Sequence, residues 1–235
     1  MKSSLLITGG LGYVGSFTAK NYLEKTKRKS IVIDNLSRGN NFAKKYSKSK
    51  IIDISNRNIK KIIEKEKIDI VLHLASLTCV RESITNRKRY FTNYKSQIQF
   101  IKNIKKTGVK YFIFSSSLSV FEKNKFKKNL SPYSMYKLKI EKYLKRISSP
   151  NFKVIILRYP NIIGSSPSGK LGEKNNFISR IVPIFYKNII NKKQNILYYD
   201  YKKKVYPYRN YMHVEDIAKI NFKIIKDRNK FKNKF

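Results

Sequence analysis

The chain has 235 residues and a mass of 27.7 kDa, and 41% of its residues are hydrophobic, so it can bury a sizeable core and a disordered chain is excluded. No run of about eighteen apolar residues marks a membrane span, and the N-terminus lacks the pattern of a signal peptide. One cysteine, Cys79, and two histidines do not make a zinc site. We therefore expect a cytoplasmic protein with no metal and no membrane partner.

The net charge of +39, from 53 basic and 14 acidic residues, is the unusual feature of the composition. Such an excess often marks a nucleic-acid-binding surface, but here the basic residues are spread through almost every segment. They accompany abundant Asn, Ile and Tyr, whose codons are A/T-rich, and no RNA-binding aromatic signature accompanies them. We attribute the charge to composition drift and expect no specific nucleic-acid partner, while the surface should attract polyanions at low salt.

Short apolar runs alternate with longer stretches of helical periodicity along the first two thirds of the chain. This alternation predicts an α/β protein built on a doubly wound, Rossmann-like parallel sheet. The predicted strands are residues 5–8, 30–33, 51–54, 70–74, 111–115 and 153–157. The predicted helices between them are residues 13–24, 58–66, 90–105 and 132–146.

After Pro160 the pattern changes to a loop rich in Gly, Ser and Pro, followed by a helical run near residues 177–186 and a basic, tyrosine-rich stretch. We expect residues 1–160 to form a cofactor-binding domain. Residues 161–235 are then a small, incomplete substrate lobe, whose helix starting near Glu215 returns to the first domain.

A glycine turn directly follows the first predicted strand. Gly10, Gly12 and Gly15 match G-x-G-x-x-G, a pattern in which glycines let the backbone and a helix N-terminus approach a pyrophosphate. Asp34 ends the second predicted strand, where a carboxylate can accept both ribose hydroxyls and repel a 2′-phosphate. The pair predicts NAD as cofactor, while Arg38 lies close enough in the sequence to keep NADP open.

A serine run ending at Ser117 closes the fifth predicted strand, and Tyr133 and Lys137 follow on the next predicted helix. The two residues are four apart and therefore share one face of that helix. A tyrosine, with a reference pKa of about 10, is a poor base unless a nearby ammonium favours its phenolate. The chain is rich in both residue types, so pairs such as Tyr46 and Lys50 also arise by chance. Position at the carboxyl edge of the sheet favours Tyr133 as the functional tyrosine.

Taken in order, these motifs resemble the UDP-glucose 4-epimerase family of the extended short-chain dehydrogenase/reductases. The resemblance implies an isomerase of galactose metabolism in which hydride leaves C4 of a UDP-sugar for NAD and returns to the other face of a 4-keto sugar. It also agrees with the predicted fold, and we expect a homodimer. The matching segments are residues 8–16, 33–36, 68–75, 115–117, 131–137, 157–161, 167–169 and 209–216.

The resemblance implies roles for individual residues. Tyr133 would exchange the proton of the sugar 4-hydroxyl, Ser117 would hydrogen-bond that oxygen, and Lys137 would hold the nicotinamide ribose. The implied cofactor-binding residues are Gly9, Gly12, Tyr13, Val14, Gly15, Asp34, Asn35, Asp53, Ile54, Leu74, Asn93, Lys137 and Tyr159. The implied substrate-binding residues are Ser117, Tyr133, Asn161, Asn176 and Arg209.

The chain also departs from the family pattern. Thr78 stands where the family has a lysine. The sequence also stops before a further strand and part of the substrate lobe. From this early end we expect weak UDP-sugar affinity and a tendency to associate. A sibling dehydratase is one alternative, but such enzymes carry an Asp-Glu pair where this chain has Leu118 and Ser119. A degenerate, non-catalytic protein that binds NAD or polyanions is the other.

Overall fold

The structure, a computed structural model, describes residues 4–121, 130–173, 180–195 and 209–231. These residues contain a six-stranded, fully parallel sheet and a separate pair of short parallel strands. The strands are β1 (Ser4–Thr8), β2 (Ser30–Asp34), β3 (Ser47–Ile51), β4 (Ile68–His73), β5 (Tyr111–Ser117), β6 (Lys153–Tyr159), β7 (Asn161–Ile163) and β8 (Tyr211–His213).

Helices connect successive strands and cover both faces of the large sheet, as parallel strands require. The helices are α1 (Tyr13–Thr26), α2 (Ile59–Lys65), α3 (Val80–Thr85), α4 (Arg87–Lys105), α5 (Pro132–Ile147), α6 (Ile181–Ile190) and α7 (Val214–Lys226). The strand order is β3-β2-β1-β4-β5-β6, which confirms the predicted doubly wound sheet. The order reverses between β1 and β4, and in such sheets the crevice outside this point binds ligands.

The two faces of the sheet bury two apolar clusters. Along β1, Leu5 and Ile7 point into the cluster shared with α1 and α7, while Leu6 belongs to the opposite cluster shared with α2, α4 and α5. All three side chains are at most 2% exposed. The sequences of the covered strands are therefore continuous apolar runs, because burial of every side chain stabilises a strand that is covered on both faces.

The third strand lies four residues earlier than predicted, at 47–51 instead of 51–54. It is an edge strand, paired only with β2, so an alternating Ser-Lys sequence suffices for the hydrogen-bonded ladder. The apolar residues at 51–54 suggested a strand, but they pack instead, since Ile52 and Ile54 contact the core cluster on the α2 side. Helix α3 was not predicted, because its six residues are too few to show a helical period.

The segment after β6 returns to the large sheet through α7. Strand β7 pairs in parallel with β8, which leads directly into α7. Helix α7 packs on α1, and Asn221 there donates to the Thr18 hydroxyl at 3.0 Å. Tyr22 and Phe222 add an edge-on ring contact, with centroids 6.4 Å apart. Helix α6 overlaps the helical run predicted near 177–186, of which residues 177–179 lie outside the described part.

Candidate active site

The turn between β1 and α1 leaves no room for side chains. Gly9 has φ +67°, and its N–H donates to the Ile33 carbonyl at 2.7 Å. A Cβ built on Gly9 would lie 2.8 Å from the Ala75 nitrogen, on the neighbouring β4 side. Glycine is therefore required here both by the left-handed backbone and by the close approach of a second chain segment.

The start of α1 forms the second half of this turn. A Cβ on Gly15 would lie 2.2 Å from the Gly9 carbonyl oxygen, so only glycine lets the helix pack this tightly on the turn. Gly12 is the N-cap and offers no side chain to the first-turn amides, and the first turn contains no acidic residue. The positive end of the helix and its N–H groups are thus available to an anion, which fits the pyrophosphate of a dinucleotide.

Two predicted contact residues follow the turn on α1. The Tyr13 hydroxyl donates to the Gly164 carbonyl at 2.6 Å, which connects the turn to the loop after β7. Burial, followed by the charge of Glu173, raises the pKa of Tyr13 above its ordinary value, whereas Arg180 lowers it. Val14 is half-buried against the core cluster. Both residues therefore lie in the first turn of α1, next to the glycine turn.

Asp34 ends β2 beside the glycine turn. Its Oδ2 accepts from the Leu11 N–H at 3.0 Å and its Oδ1 from the Leu36 N–H at 2.8 Å. Burial raises the pKa of this carboxyl, and the N–H groups of Leu36, Leu11 and Gly12 act in the opposite direction. Each carboxylate oxygen can accept more than one hydrogen bond, so Asp34 can hold the turn and still receive ribose hydroxyls.

The structure brings Asn35 and Asp53 together, although 18 residues separate them. The Asn35 amide donates to Asp53 Oδ2 at 2.7 Å, and both the N–H and the hydroxyl of Ser55 donate to Asp53 Oδ1. Burial acts to raise the pKa of Asp53, but these hydrogen bonds outweigh it and hold the pKa below its usual range. The neighbouring Ile54 directs its side chain into the core and is 8% exposed.

Two further predicted residues lie on the β4 side of the crevice. The Leu74 N–H donates to the Thr8 carbonyl at 3.1 Å, and its side chain packs against the core cluster. Asn93, on α4, accepts at its Oδ1 from the Leu77 N–H at 3.3 Å and from the Gln97 amide at 2.8 Å. Asn93 therefore supports the loop that follows β4.

Tyr133 and Lys137 lie on the buried face of α5. Ser131 caps this helix by accepting from the Ser134 N–H at 3.2 Å, and Pro132 occupies its first turn. Tyr133 is 9% exposed and Lys137 3% exposed, which confirms that the two residues share one face. The helix thus carries both side chains on its buried face, as the four-residue spacing predicts.

The ammonium of Lys137 reaches the strand that carries Ser117. Its Nζ donates to the Ser115 carbonyl at 2.8 Å and lies 4.7 Å from the centroid of the Phe114 ring. Burial lowers the pKa of Lys137 to about 7, and the charge of Glu141 opposes this shift. Ser117 ends β5, where its Oγ accepts from the Ser119 N–H at 3.1 Å.

A buried carboxylate on the same helix face is a part of the site that the sequence did not reveal. Glu141 is 1% exposed and accepts from the Ser116 hydroxyl at 2.5 Å. Arg158 on β6 donates to both of its oxygens, at 3.0 and 2.6 Å. Glu141 follows Lys137 by four residues, as Lys137 follows Tyr133, and this repeat could have identified it.

His73, at the end of β4, is a packed core residue. Its ring stacks on Phe100 at 5.0 Å between centroids, and its Nδ1 shares a 2.7 Å hydrogen bond with the Thr8 hydroxyl. Burial, followed by the charge of Lys137, lowers the pKa of His73 to about 3. The imidazole is therefore neutral at physiological pH, and it packs in the core at the end of β4.

Three further predicted residues, Tyr159, Asn161 and Arg209, lie in β6, in β7 and just before β8. The Tyr159 hydroxyl donates to Asn221 Oδ1 at 2.5 Å, and burial raises its pKa. Asn161 is exposed, and both its N–H and its side-chain amide donate to the Asn210 carbonyl, at 3.1 and 3.3 Å. Arg209 is exposed and lies two residues before β8. Asn176 lies outside the described residues.

The described residues form neither a metal site nor a membrane span. They contain no group of three or more His, Cys, Asp and Glu side chains that could hold a metal ion. Within the same ranges, every helix is too short or too polar to span a bilayer.

Comparison with known proteins places this arrangement in a family. A UDP-glucose 4-epimerase from Yersinia enterocolitica is 34% identical over 242 residues, which cover 92% of this chain and 71% of that relative. The UDP-glucose 4-epimerase of Bifidobacterium longum, solved in complex with NAD⁺ and UDP, has a TM-score of 0.82 at 26% identity, covering 95% of this chain and 74% of that chain.

A third similar protein is the UDP-Glc/GlcNAc 4-epimerase of Campylobacter jejuni, with a TM-score of 0.74 at 28% identity over 96% of this chain and 75% of that chain. These likenesses confirm the resemblance seen in the sequence motifs. The profile of one family also matches residues 5–234, which are nearly the whole chain. The chain therefore belongs to the NAD dependent epimerase/dehydratase family.

Proposed function

We propose that this protein is an isomerase that uses NAD to invert C4 of a UDP-sugar, in the simplest case interconverting UDP-glucose and UDP-galactose. The observation that supports the proposal is the buried face of α5, which carries both Tyr133 and Lys137 and from which Lys137 reaches the Ser115 carbonyl, two residues before Ser117. The glycine turn and Asp34 lie at the carboxyl edge of the same sheet, where a dinucleotide fits.

The chemistry requires a base at the sugar 4-hydroxyl. When bound, NAD supplies a hydride acceptor that later returns the hydride to the opposite face of the 4-keto sugar. In this proposal Tyr133 takes the proton of the hydroxyl and gives it back, while Ser117 donates a hydrogen bond to the same oxygen. Lys137 favours the phenolate by its charge, and its bond to the Ser115 carbonyl fixes the position of that charge.

The cofactor-binding residues surround the crevice in two groups. The glycines and first residues of α1 would receive the pyrophosphate, and Asp34 with Asn35 and Asp53 would receive the adenosine end. For the nucleotide of the substrate we propose Asn161, Asn176 and Arg209, with the guanidinium of Arg209 paired to phosphate.

A dehydratase is less well supported. The acid and base positions of such an enzyme are occupied here by Leu118, which is 37% exposed, and Ser119, whose hydroxyl accepts from Ser134 at 2.9 Å. Neither side chain can exchange a proton at neutral pH, and Ser119 is engaged with the start of α5. The end of β5 therefore favours epimerisation over elimination of water.

The arrangement of the chain follows from this function. We propose that residues 1–160 form the NAD-binding domain and residues 161–235 the substrate lobe, from which α7 returns to α1. We also propose a cytoplasmic homodimer. An exposed aromatic cluster on α4 and α5 supports self-association, since Phe91 is 42% exposed and the rings of Tyr94 and Tyr136 stack at 4.9 Å.

The direct test is the NAD content of the purified protein together with turnover of UDP-galactose to UDP-glucose. We expect bound NAD and measurable turnover. A second assay with UDP-N-acetylglucosamine defines the sugar, because the similar protein from Campylobacter jejuni is a UDP-Glc/GlcNAc 4-epimerase. Bound NAD without turnover of either UDP-sugar would contradict the proposed activity and leave a dinucleotide-binding protein.

A further inference from the structure

Arg38 lies in a loop that returns to Asp34, the carboxylate proposed to receive the adenosine ribose. It follows Asp34 by four residues in the loop after β2. The loop returns to that carboxylate, since a Cβ on the adjacent Gly39 would lie 3.1 Å from Asp34 Oδ1. An arginine in this position is the residue type that pairs with the 2′-phosphate of NADP.

The guanidinium is already held by an acidic residue. Arg38 Nη2 donates to Glu82 Oε2 at 2.6 Å, and both side chains are largely buried, at 24% and 22% exposure. Glu82 lies in the first turn of α3, on the β4 side of the crevice, so the ion pair joins the two sides of the strand-order reversal. Such a partly buried, charge-assisted bond is stronger than a pair on the open surface.

Glu82 is itself fixed in place by other contacts. Arg89 pairs with its Oε1, and the Tyr90 hydroxyl lies 3.1 Å from its Oε2 and 2.7 Å from the Cys79 carbonyl. The Glu82 N–H is capped by the Cys79 sulfur at 3.3 Å. The carboxylate therefore has little freedom to release Arg38.

A second carboxylate faces Arg38 more weakly. Burial raises the pKa of the Glu173 carboxyl, and the charges of Arg180 and, less strongly, Arg38 oppose that rise. Glu173 forms its own ion pair with Arg180 at 2.7 Å, however, so its charge is largely engaged elsewhere. The direct partner of Arg38 on the far side of the crevice is Glu82.

We propose that Glu82 sets the preference for NAD over NADP by holding the Arg38 guanidinium away from a 2′-phosphate. A 2′-phosphate would have to displace a fixed carboxylate to reach Arg38 and would meet the charge of Asp34 as well. Two carboxylates then exclude NADP. Asp34 repels the 2′-phosphate directly, and Glu82 keeps it from Arg38, the only basic residue between positions 34 and 41. This inference rests on the proposed function, because it assumes that the crevice holds a dinucleotide.

The test is calorimetric titration of NAD and NADP into wild type, Glu82→Gln and the double variant Glu82→Gln/Arg38→Leu. We expect Glu82→Gln to raise the affinity for NADP by roughly tenfold while leaving that for NAD within about twofold. The double variant should lose the gain. Glu24→Gln, which removes the exposed partner of Lys20 on α1, is the matched control and should change neither affinity.

Thermal melting checks that each variant is folded. If Glu82→Gln does not fold, Glu82→Asp takes its place, because the shorter side chain withdraws the carboxylate from Arg38 and keeps the charge. The single variant Arg38→Leu tests the inference without any change at Glu82. It should leave the weak affinity of the wild type for NADP unchanged, since Arg38 is already engaged.

Three results would overturn the inference: no gain in NADP affinity in either variant at position 82, a gain that persists without Arg38, or a loss of NADP affinity in Arg38→Leu alone. Failure of the proposed function looks different. It would appear as a wild type that binds neither dinucleotide, or one that binds NAD and turns over no UDP-sugar while the variants still shift toward NADP.

Discussion

The glycine turn and the serine–tyrosine–lysine centre lie at the same edge of one sheet, yet different forces hold them. The turn is defined by exclusion, because a Cβ on Gly9 would lie 2.8 Å from the Ala75 nitrogen and a Cβ on Gly15 would lie 2.2 Å from the Gly9 carbonyl oxygen. The centre is defined by pairing, because the charged atoms of Lys137 and Glu141 are buried and hydrogen-bonded to β5 and β6.

The difference predicts how each region responds to change. A steric region tolerates no added atom, since backbone atoms cannot move aside as the end of a flexible side chain can. A paired region responds in graded steps, because each lost hydrogen bond or charge costs a limited free energy and water can replace part of it. The paired region also contains Lys137, whose pKa burial lowers to about 7.

The largest effect should come from Gly15→Ala. The new methyl group would meet the Gly9 carbonyl at 2.2 Å and the Gly10 Cα at 2.5 Å, so α1 must move off the turn. We expect the purified variant to contain no bound NAD and to have no turnover. Gly108→Ala is the control, because a Cβ there meets nothing within 4 Å. Normal NAD content in Gly15→Ala would show that the turn is not sterically defined.

The next largest effect should come from Tyr133→Phe. The change keeps the buried ring and removes the hydroxyl, so turnover should fall by roughly 10²- to 10⁴-fold while NAD remains bound. Steady-state rates and the NAD content of the same preparation measure the two quantities. Tyr46→Phe, at the chance pair with Lys50, should leave the rate intact. A Tyr133→Phe rate near that of wild type would remove this residue from the proposed mechanism.

Glu141→Ala should have a moderate effect on stability. The variant leaves the Ser116 hydroxyl without its acceptor and Arg158 without its carboxylate, but Arg158 is 29% exposed and can turn to water. We expect the free energy of unfolding to fall by about 1–3 kcal/mol in urea titrations. Glu64→Ala, at an exposed pair with Lys60, should change it by less than about 0.5 kcal/mol. Equal losses in the two variants would contradict the importance of the buried network.

The stability of the protein should also depend on pH. Burial lowers the pKa of Lys137 from 10.5 to about 7, with Glu141 opposing the shift. Between these values the unfolded chain holds the proton and the folded chain does not, so the free energy of unfolding rises with pH, by up to about 1.4 kcal/mol per pH unit. The cost of burying the ammonium is thus fully present below about pH 7.

Lys137→Met removes this dependence. Its stability relative to wild type should therefore be highest below about pH 7 and should decline as the pH rises toward 10. Urea titrations of both proteins at several pH values measure the difference, in which the titration of the other lysines cancels. His73, with a pKa of about 3, does not titrate in this window. Parallel curves for the two proteins would contradict the lowered pKa of Lys137.

Much of the fold and of the site follows from local patterns in the sequence. The alternation of apolar runs and helical stretches predicts the sheet and its helices, and the four-residue spacing places Tyr133 and Lys137 on one face of α5. Strand β3 did not follow from composition, because an edge strand with one neighbour requires no apolar run. The roles of the individual site residues stay predictions.

The sequence by itself determined the features that depend on neighbouring residues: the glycines of the turn, the acid that ends β2, and the tyrosine and lysine one helical turn apart. Only the tertiary structure decided which distant charges meet. Glu141 pairs with Arg158 across 17 residues, and Glu82 pairs with Arg38 across 44. The chain contains 53 basic and 14 acidic residues, so each acid has many possible partners, and the packing of α3 and α5 against the sheet selects among them.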